Sequence, residues 1–384
     1  MAALRTIRLD CDTLHFTGER MHTIESAPEA PRSAEIRLPE MRSPGITEHP
    51  FQFSGDAHEY FRIWIVNLAL SIVTLGIYSA WAKVRTNRYF YANTWVAGAP
   101  FQYLAQPLPI LKGRLIAITV FGSYVLSGHF SPKLQLALAG VVALVAPWMV
   151  VRALRFHARY SAWRSLNFRF VGAYGDAYIR YLLLLLLIPL SLGFAYPYVK
   201  WQQRRFVVEG HRFGGKAFTF QATSGDFFPP YLIAMGLGFL WVVVVAIGSA
   251  SLVFAGGSTD GPPAHWVIYA IVGFEYAGFF LIGIYVVSRI TNLVYNKAEL
   301  DGHRMRSTLR ARDLIRLYAV NTVAILFTFG MLIPWAMIRM AKYRAAQLAL
   351  LACGDLDTFV AVASAEEGAT GAELDVLFDV DLGF

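Results

Sequence analysis

The chain has 384 residues, of which 56% are hydrophobic and only 16% charged, with a formal net charge of +8 and a mean hydropathy of +0.46. Soluble domains contain about 25% charged residues, so this composition excludes an ordinary soluble protein and favours an integral membrane protein. The two cysteines are far apart and form no CxxC motif, so neither a metal site nor a cofactor is expected.

The chain divides into a polar N-terminal tail, a membrane body and an acidic C-terminal tail. Residues 1–50 contain no long apolar run, and we predict that they are partly disordered. The membrane body is expected over residues 51–344. Residues 345–384 hold eight acidic residues and no Lys or Arg. We predict that both tails are cytoplasmic. The acidic tail is expected either to stay in solvent or to dock against the basic face of the membrane body.

The membrane body contains an internal repeat. The Phe-x-Phe segment at Phe51–Phe53 recurs at Phe168–Phe170, an offset of 117 residues (168 − 51), and a partial third copy lies 254 residues after the first. The predicted units are a repeat over residues 51–167, a repeat over 168–303 and a partial repeat over 304–344. Repeats in membrane proteins often mark how a pathway or a scaffold is built.

Each repeat predicts the same order of elements. A short segment with a period of two predicts a cytosolic β element, and a shorter apolar segment with a basic amphipathic end follows. In the first two repeats, two longer apolar segments come next, joined through Ser127–Lys133 and Gly256–Pro263. About 20 apolar residues suffice to cross a bilayer as a helix, so each pair predicts a transmembrane helical hairpin.

The shorter apolar segments contain helix-breaking residues, at Gly76, Gly193 and Gly330. Basic residues flank the second of these segments on both sides, although positive residues accumulate on the cytoplasmic side of a membrane. A re-entrant or kinked half-helix satisfies both observations, provided that protein or water covers the irregular backbone. The alternative is three full spans, which would make successive repeats inverted.

The distribution of basic residues predicts the topology. Positive charge accumulates in Lys83–Arg114, Arg152–Arg180, Lys200–Pro229 and Arg289–Arg316. We therefore expect these four segments on the cytoplasmic side and the tips of the long hairpins outside.

Aromatic and basic residues occur together where the shorter segments end. Trp and Tyr favour the headgroup level of a membrane, and Lys and Arg are attracted to anionic lipid. The pattern predicts either plain interfacial anchoring or a pocket for a lipid headgroup or an anionic substrate. No nucleic-acid-binding motif accompanies the basic residues, so nucleic acid is not an expected partner. The candidate residues are Trp81, Lys83, Arg85, Arg88, Tyr89, Lys200 and Arg205.

Three polar residues inside apolar segments are candidates for a transport pathway. Asn67 and Asn321 occupy one repeat position, 254 residues apart (321 − 67), and Glu275 is the one acidic residue deep in a long apolar segment. Intramembrane carboxylates are costly and suggest a proton or cation relay. The alternatives are structural, since a buried Asn commonly bonds to a neighbouring helix and a Glu can be neutral or paired with Arg.

The stretch Thr74-Leu-Gly-Ile-Tyr-Ser-Ala-Trp-Ala-Lys-Val-Arg-Thr-Asn-Arg-Tyr-Phe-Tyr91 resembles the signature of the YjgN-like family, bacterial inner-membrane proteins grouped as a domain of unknown function. Ile110–Arg114 and the acidic ending Gly371–Phe384 also resemble that family. The second copy departs from the pattern with Tyr198 in place of Trp81 and Gln202 in place of Arg85, and the third has Met337 in place of Lys83. The resemblance implies an inner-membrane location and implies no activity.

Together these features predict an all-α polytopic membrane protein with short cytosolic β elements. Its internal repeats would each combine one broken or re-entrant helix with one transmembrane hairpin. The leading functional hypothesis is a transporter or channel-like protein. The alternative is a lipid-interacting scaffold or envelope-organising protein without transport, with anionic headgroups as partners. Motifs typical of an enzyme are missing, so no catalytic residue is predicted, and the oligomeric state is left open.

Overall fold

The computed structural model describes residues 45–255 and 265–366. Most of the predicted N-terminal tail (1–44), the predicted hairpin loop (256–263) and the end of the predicted acidic tail (367–384) lie outside the described residues. In the described part of the chain, short β-strands alternate with pairs of helices.

The strands form one antiparallel sheet of eleven described strands whose two ends meet. β1 (Ile46–Pro50) and β2 (Gln52–Phe53) are separated only by Phe51. Nevertheless, β1 pairs with the last strand, β11 (Leu348–Cys353), and β2 pairs with β3 (Thr94–Val96). The sheet therefore closes almost completely on itself, and we call it the strand ring.

The other strands follow one another around the strand ring in chain order. The Phe51 amide donates to the Leu348 carbonyl oxygen at 2.9 Å and joins the two ends. The intervening strands are β4 (Ala99–Tyr103), β5 (Ser161–Trp163), β6 (Leu166–Phe170), β7 (His211–Phe213), β8 (Lys216–Phe220), β9 (Ala298–Leu300) and β10 (His303–Ser307).

The strand ring shows that the predicted all-α fold class is wrong. The strands contain only two to six residues, so each is too short to display a clear alternating pattern. Partners such as β4 and β5 are also separated in sequence by two long helices. Closure leaves few exposed strand edges, which stabilises strands that would be marginal alone.

The helices occur in pairs that leave one strand of the ring and return to its neighbour. Two long helices connect β4 to β5, and another two connect β8 to β9. Shorter helices connect β2 to β3, β6 to β7 and β10 to β11. The shorter pairs are α1 (Ala57–Val73) with α2 (Ser79–Ala92), α5 (Tyr174–Tyr178) and α6 (Leu187–Leu190) with α7 (Tyr196–Gly210), and α10 (Ala311–Phe327) with α11 (Ile333–Ala346). Between α5 and α6 the chain forms a π-helical and then a 3-10 turn.

The three shorter pairs turn in the same way at their tips. Gly76, Gly193 and Gly330 have φ values of 90°, 93° and 91°, a conformation that glycine adopts at little cost. Each glycine amide donates to the carbonyl oxygen five residues earlier, at 2.7–2.8 Å, which terminates the incoming helix. The structure thus places the three glycines predicted as helix breaks between the helices of each pair.

Four helices among the described residues are long and apolar enough to cross a membrane. They form two hairpins, α3 (Pro107–Phe130) with α4 (Pro132–Arg159) and α8 (Ser224–Ala255) with α9 (His265–Lys297). In the most apolar stretch of each of these helices, only 6–11% of the residues are buried within the protein. In the described part of the chain, the two hairpins pack internally and share no extensive interface with each other.

A C-terminal helix, α12 (residues 356–366), packs against the strand ring. Leu356 and Ala363 of α12 are buried in a cluster with Trp163 and Phe213 of the ring. The Asp355 carboxylate caps the helix, accepting from the Thr358 amide at 3.0 Å and from its hydroxyl at 2.7 Å. The segment predicted as a separate acidic tail therefore supplies both β11 and α12, and the predicted N-terminal tail supplies β1.

Candidate functional site

Aromatic and basic side chains pair on the helices that run toward the strand ring. In each pair the cation lies over a ring one helical turn earlier, with 5.1–5.7 Å between the cation and the ring centroid. We call these pairs the cation–aromatic belt. Its members are Trp148 with Arg152, Tyr196 with Lys200, Trp201 with Arg205, Tyr285 with Arg289, and Trp335 with Arg339.

The polarity of the cation–aromatic belt is the same on every helix. α4, α7, α9 and α11 each lead into a strand, so the cation is always nearer the strand ring than the aromatic ring is. The aromatic member therefore faces the apolar part of the helix. This order matches a membrane interface, where indole and phenol rings lie beside the hydrocarbon and cations reach the headgroups.

The predicted contact residues of α2 divide into exposed and buried groups. Lys83 and Arg85 are exposed, and Arg85 has no carboxylate within ion-pair distance among the described residues. Arg88 donates to the Ala105 carbonyl oxygen at 3.1 Å, which fixes the approach to α3. Tyr89 is only 8% exposed, so it is not a lipid contact.

Tyr89 instead joins the first helix pair at its base. Its hydroxyl accepts from the Asp56 amide at 2.9 Å and donates to the Glu59 carboxylate at 3.1 Å. Its ring stacks on Tyr60, with centroids 5.2 Å apart. Burial, with a smaller contribution from Glu59, raises the pKa of Tyr89 to about 12. The phenol is therefore neutral and structural at physiological pH.

The two predicted residues of α7 are already engaged within the protein. Lys200 donates to the Gln203 side chain at 3.2 Å, and burial lowers its pKa. Arg205 forms an ion pair with Glu209 at 2.9 Å. A lipid headgroup would share Lys200 and Arg205 with these protein partners. Arg85 and Arg152 are exposed and form no ion pair with a carboxylate of the described residues.

The structure does not bring the three candidate pathway residues to one place. Asn321 faces a cavity beside α11, and its amide donates to the Ala336 carbonyl oxygen at 3.4 Å. Asn67 is buried in α1, and neither atom of its amide has a hydrogen-bond partner. Glu275 lies in the long hairpin, where Trp241 donates to its backbone carbonyl oxygen at 3.3 Å. Of the three, only Asn321 borders the cavity.

The cavity lies between the third short helix pair and the strand ring, and its volume is about 750 Å³. One face of α10 and one face of α11 form one wall of the cavity, and aromatic side chains of the strand ring form much of the rest. The residues that line it include Phe51, Phe101 and Phe168 from the ring and Ile325, Met337 and Arg344 from the helices.

The same three ring phenylalanines separate the cavity from α12. Phe51, Phe101 and Phe168 line the cavity and also pack against the buried cluster that contains Leu356 and Ala363. Phe51 stacks on Phe101 with centroids 6.1 Å apart. The strand ring therefore packs against α12 on one side and borders an apolar cavity on the other.

Ion pairs hold α12 at the rim of the strand ring. Asp357 pairs with Arg164 in the β5–β6 turn. Lys216 bonds to Glu366 of α12 at 2.9 Å and to Asp301 at 3.3 Å, and these two bonds raise its pKa. Because Asp357 is largely exposed, these pairs are expected to position α12 more than to stabilise it.

Sequence reasoning missed both the cavity and α12. The signal for the cavity is a lost charge on α11, because Met337 lies where the predicted repeat would place a counterpart of Lys83. The signal for α12 is the apolar spacing of Leu356, Phe359 and Ala363, which predicts one buried helix face within an acidic segment. The described residues contain no group of His, Cys, Asp or Glu side chains that could hold a metal ion.

Comparisons with known proteins agree with a membrane protein. The chain is 26% identical over 358 residues to the inner membrane protein YjgN of Salmonella typhimurium strain LT2, covering 81% of this chain and 90% of that protein. It is 29% identical over 126 residues to the protein of the same name from Escherichia coli strain K12, covering 33% and 32% of the two chains.

No solved structure matches the chain. Residues 48–377 match a family described as bacterial protein of unknown function, DUF898. This match spans the strand ring, both long hairpins and α12. The chain therefore belongs to the DUF898 family of bacterial proteins.

Proposed function

We propose that this protein is a multi-pass inner-membrane protein that binds anionic lipid headgroups through the cation–aromatic belt. The belt is the observation that carries the proposal. Its pairs occur on four helices, with the ring toward the apolar side and the cation toward the strand ring. A lysine or arginine near the surface of an anionic membrane contributes about 1 kcal/mol to binding.

In this proposal the strand ring lies on the cytoplasmic side. All four basic segments lead to or from strands of the ring, and basic residues accumulate on that side of a membrane. The short helix pairs would enter the membrane from the ring and return to it as re-entrant hairpins. The exposed apolar tips support this, since Leu75, Leu192 and Phe329 are 94%, 86% and 97% exposed.

The weak packing of the long hairpins favours a lipid-binding role over a channel. Nearly all residues in the most apolar stretch of each long helix are exposed, and the described parts of the two hairpins share no extensive interface. A transport pathway within one chain needs helices that enclose it. Lipid, by contrast, would cover these surfaces directly.

The test compares lipids that co-purify with matched variants. We expect Arg152→Gln combined with Arg289→Gln, which removes two cations of the belt, to lower the enrichment of phosphatidylglycerol over phosphatidylethanolamine by about 30-fold, from about 1 kcal/mol per cation. Both side chains are exposed, so the fold is expected to survive. Lys133→Gln, which removes one charge at the opposite end of a long hairpin, is the control.

Mass spectrometry of the bound lipid gives the result for each variant. Unchanged enrichment in the double variant would contradict the proposal. Equal losses in the double variant and in Lys133→Gln would also contradict it, because the effect would then follow net charge and not the belt.

A transporter is the second candidate, and Glu275 is the observation that favours it. The side chain is half-buried in α9, and no basic partner lies within ion-pair distance among the described residues. An intramembrane carboxylate of this kind suits a proton relay. In vesicles, Glu275→Gln should then abolish a proton-coupled flux while the belt still binds lipid. Absence of any flux in the wild-type protein would remove this candidate.

A further inference from the structure

The cavity beside α11 has the dimensions of a site for a hydrocarbon chain. Its volume of about 750 Å³ falls within the range of about 300–1,000 Å³ that is usual for small-ligand sites. Along α11 its lining extends from Ile333 to Ala345, about 18 Å at 1.5 Å per residue.

The wall of the cavity presents little unsatisfied polarity. Asn321 bonds to Ala336 and Arg339, and the Thr94 hydroxyl donates to the Phe90 carbonyl oxygen at 2.8 Å. The Ser161 hydroxyl donates to a helix carbonyl oxygen at 2.8 Å. Because these polar atoms bond within the protein, the surface left to an occupant is apolar, and an apolar cavity favours hydrocarbon over water.

The two ends of the cavity differ in the way that the two ends of a lipid differ. Ile325 and Ile333 flank the apolar tip of the third helix pair, where Phe329 is 97% exposed. Arg344 lies at the other end, next to the strand ring. It is exposed, and no carboxylate of the described residues lies within ion-pair distance of it.

We propose that this cavity binds one acyl chain of an anionic phospholipid, with Arg344 contacting the phosphate of the headgroup. The inference rests on the proposed function for the class of ligand, and it adds a defined site to the surface contacts of the belt. The charge of Arg344 matches a phosphate, and the apolar lining is continuous with the membrane-facing tip. The third repeat supplies the site because Met337 and Met340 replace the more polar Lys83 and Thr86 of the first.

The experiment uses the full chain in phosphatidylethanolamine vesicles that contain a phosphatidylglycerol with a diazirine on one acyl chain. After irradiation, peptide mapping is expected to place the label on α10 and α11 residues that line the cavity. An excess of unlabelled phosphatidylglycerol should remove that label, since the site is saturable. This competition uses the wild-type protein and does not depend on the folding of any variant.

Two pairs of variants test the geometry. Ala341→Phe fills the cavity and should lower the labelling at least fivefold, whereas Ala346→Phe, an exposed position on the same helix, should not. Arg344→Gln should remove the preference for phosphatidylglycerol over a phosphatidylcholine with the same diazirine chain. Lys342→Gln is the matched control, because Lys342 is exposed but does not line the cavity.

Several outcomes would overturn the inference. These are label confined to the long hairpins, label that resists competition, equal labelling of Ala341→Phe and wild type, and equal labelling by the two lipids. If one of these outcomes occurs while the variant that lacks the Arg152 and Arg289 charges still loses phosphatidylglycerol, this inference fails and the proposed function stands. If the wild-type protein shows no such enrichment, the proposed function fails.

Discussion

Phe359 of α12 lies nearly parallel to Phe213 of β7, with ring centroids 6.1 Å apart and the planes at 16°. Phe213 is 2% exposed and also contacts Trp163 and Phe168 of neighbouring strands. This aromatic contact is thus one of several that hold α12 against the strand ring, together with the buried Leu356 and Ala363. Loss of that contact should loosen α12 before it loosens the ring.

We expect Phe359→Ala to weaken the docking of α12. Truncation of a fully buried Phe costs about 3–5 kcal/mol, and Phe359 is half-buried, so about 2 kcal/mol is expected. Hydrogen exchange of residues 356–366 measures this directly. Val362→Ala, on a side chain that is 45% exposed, is the control and should leave exchange unchanged. Equal protection of α12 in the wild type and in Phe359→Ala would show that Phe359 does not hold the helix.

We expect the docking of α12 to weaken as the pH falls below about 6.5. The His303 ring lies 4.4 Å from the Phe359 ring, and its Nδ1 accepts from the Cys353 amide at 3.1 Å. Burial lowers the pKa of His303 from 6.5, and Asp301 opposes this less strongly. The docked state therefore disfavours the proton, so its stabilisation is present above pH 6.5 and lost as the pH falls toward the lowered pKa.

Hydrogen exchange of α12 at pH 7.5 and 5.5, corrected for the intrinsic rate, measures this dependence. His303→Asn keeps an acceptor near the Cys353 amide but does not titrate, so it should remove the pH dependence. His211→Asn is the control, because the pKa of His211 is also lowered by burial but its side chain bonds to Val207 and not to α12. An unchanged pH dependence in His303→Asn would assign the effect to another group.

The second long hairpin should be sensitive to a single methyl group. A Cβ atom at Gly278 would lie 2.0 Å from the Trp241 ring, so Gly278→Ala should force the helices apart at a cost of about 1–3 kcal/mol. Gly273→Ala is matched on the same helix, where a Cβ atom meets nothing within 4 Å. That change should be neutral or stabilise the hairpin by about 0.5–1 kcal/mol. Thermal unfolding in detergent distinguishes the two, and equal unfolding temperatures would contradict the packing.

The two repeat-related asparagines should respond in opposite ways to replacement by leucine. Asn67 is 5% exposed with no hydrogen-bond partner, and an unsatisfied buried polar group costs about 1–3 kcal/mol. Asn67→Leu should therefore raise the unfolding temperature, as Leu184 at the matching position of the second repeat suggests. Asn321→Leu should lower it, because Asn321 bonds to Ala336 and Arg339. A lower unfolding temperature for Asn67→Leu would mean that Asn67 has a ligand.

The sequence predicted the structure correctly where the conformation depends only on residues that are close together in the chain. Long apolar runs predicted two helical hairpins, whose helices are long and apolar enough to cross a membrane. Gly76, Gly193 and Gly330 do lie between helices because only local conformation is involved. The strand ring depends instead on pairing between distant segments, which no local pattern shows. Of its four two-residue turns, Gly214-Gly215 and Asp301-Gly302 carry a hairpin signal. Arg164-Ser165 does not, although both residues have positive φ.

Some of the predicted binding residues are exposed and others are buried, and the sequence did not distinguish the two groups for a related reason. A sequence shows that Tyr89 and Arg85 are close on one helix, but it does not show which of them the packing of α1 buries. Burial of Tyr89 depends on Tyr60 and on Ile338 of α11, about 250 residues away. The cavity residues of α11 were missed because their importance depends on phenylalanines of the strand ring that lie far away in the sequence.

The pairing of β1 with β11 sets an order for biogenesis. Residues 46–50 leave the ribosome long before their partners at 349–353, and during that time the first strand has no edge to pair with. Because contacts this distant in sequence form slowly, closure of the ring should be the last step, after both hairpins have entered the membrane. A ribosome stalled before residue 348 would then hold an open sheet, which makes the nascent chain a target for chaperones until its final strand is released.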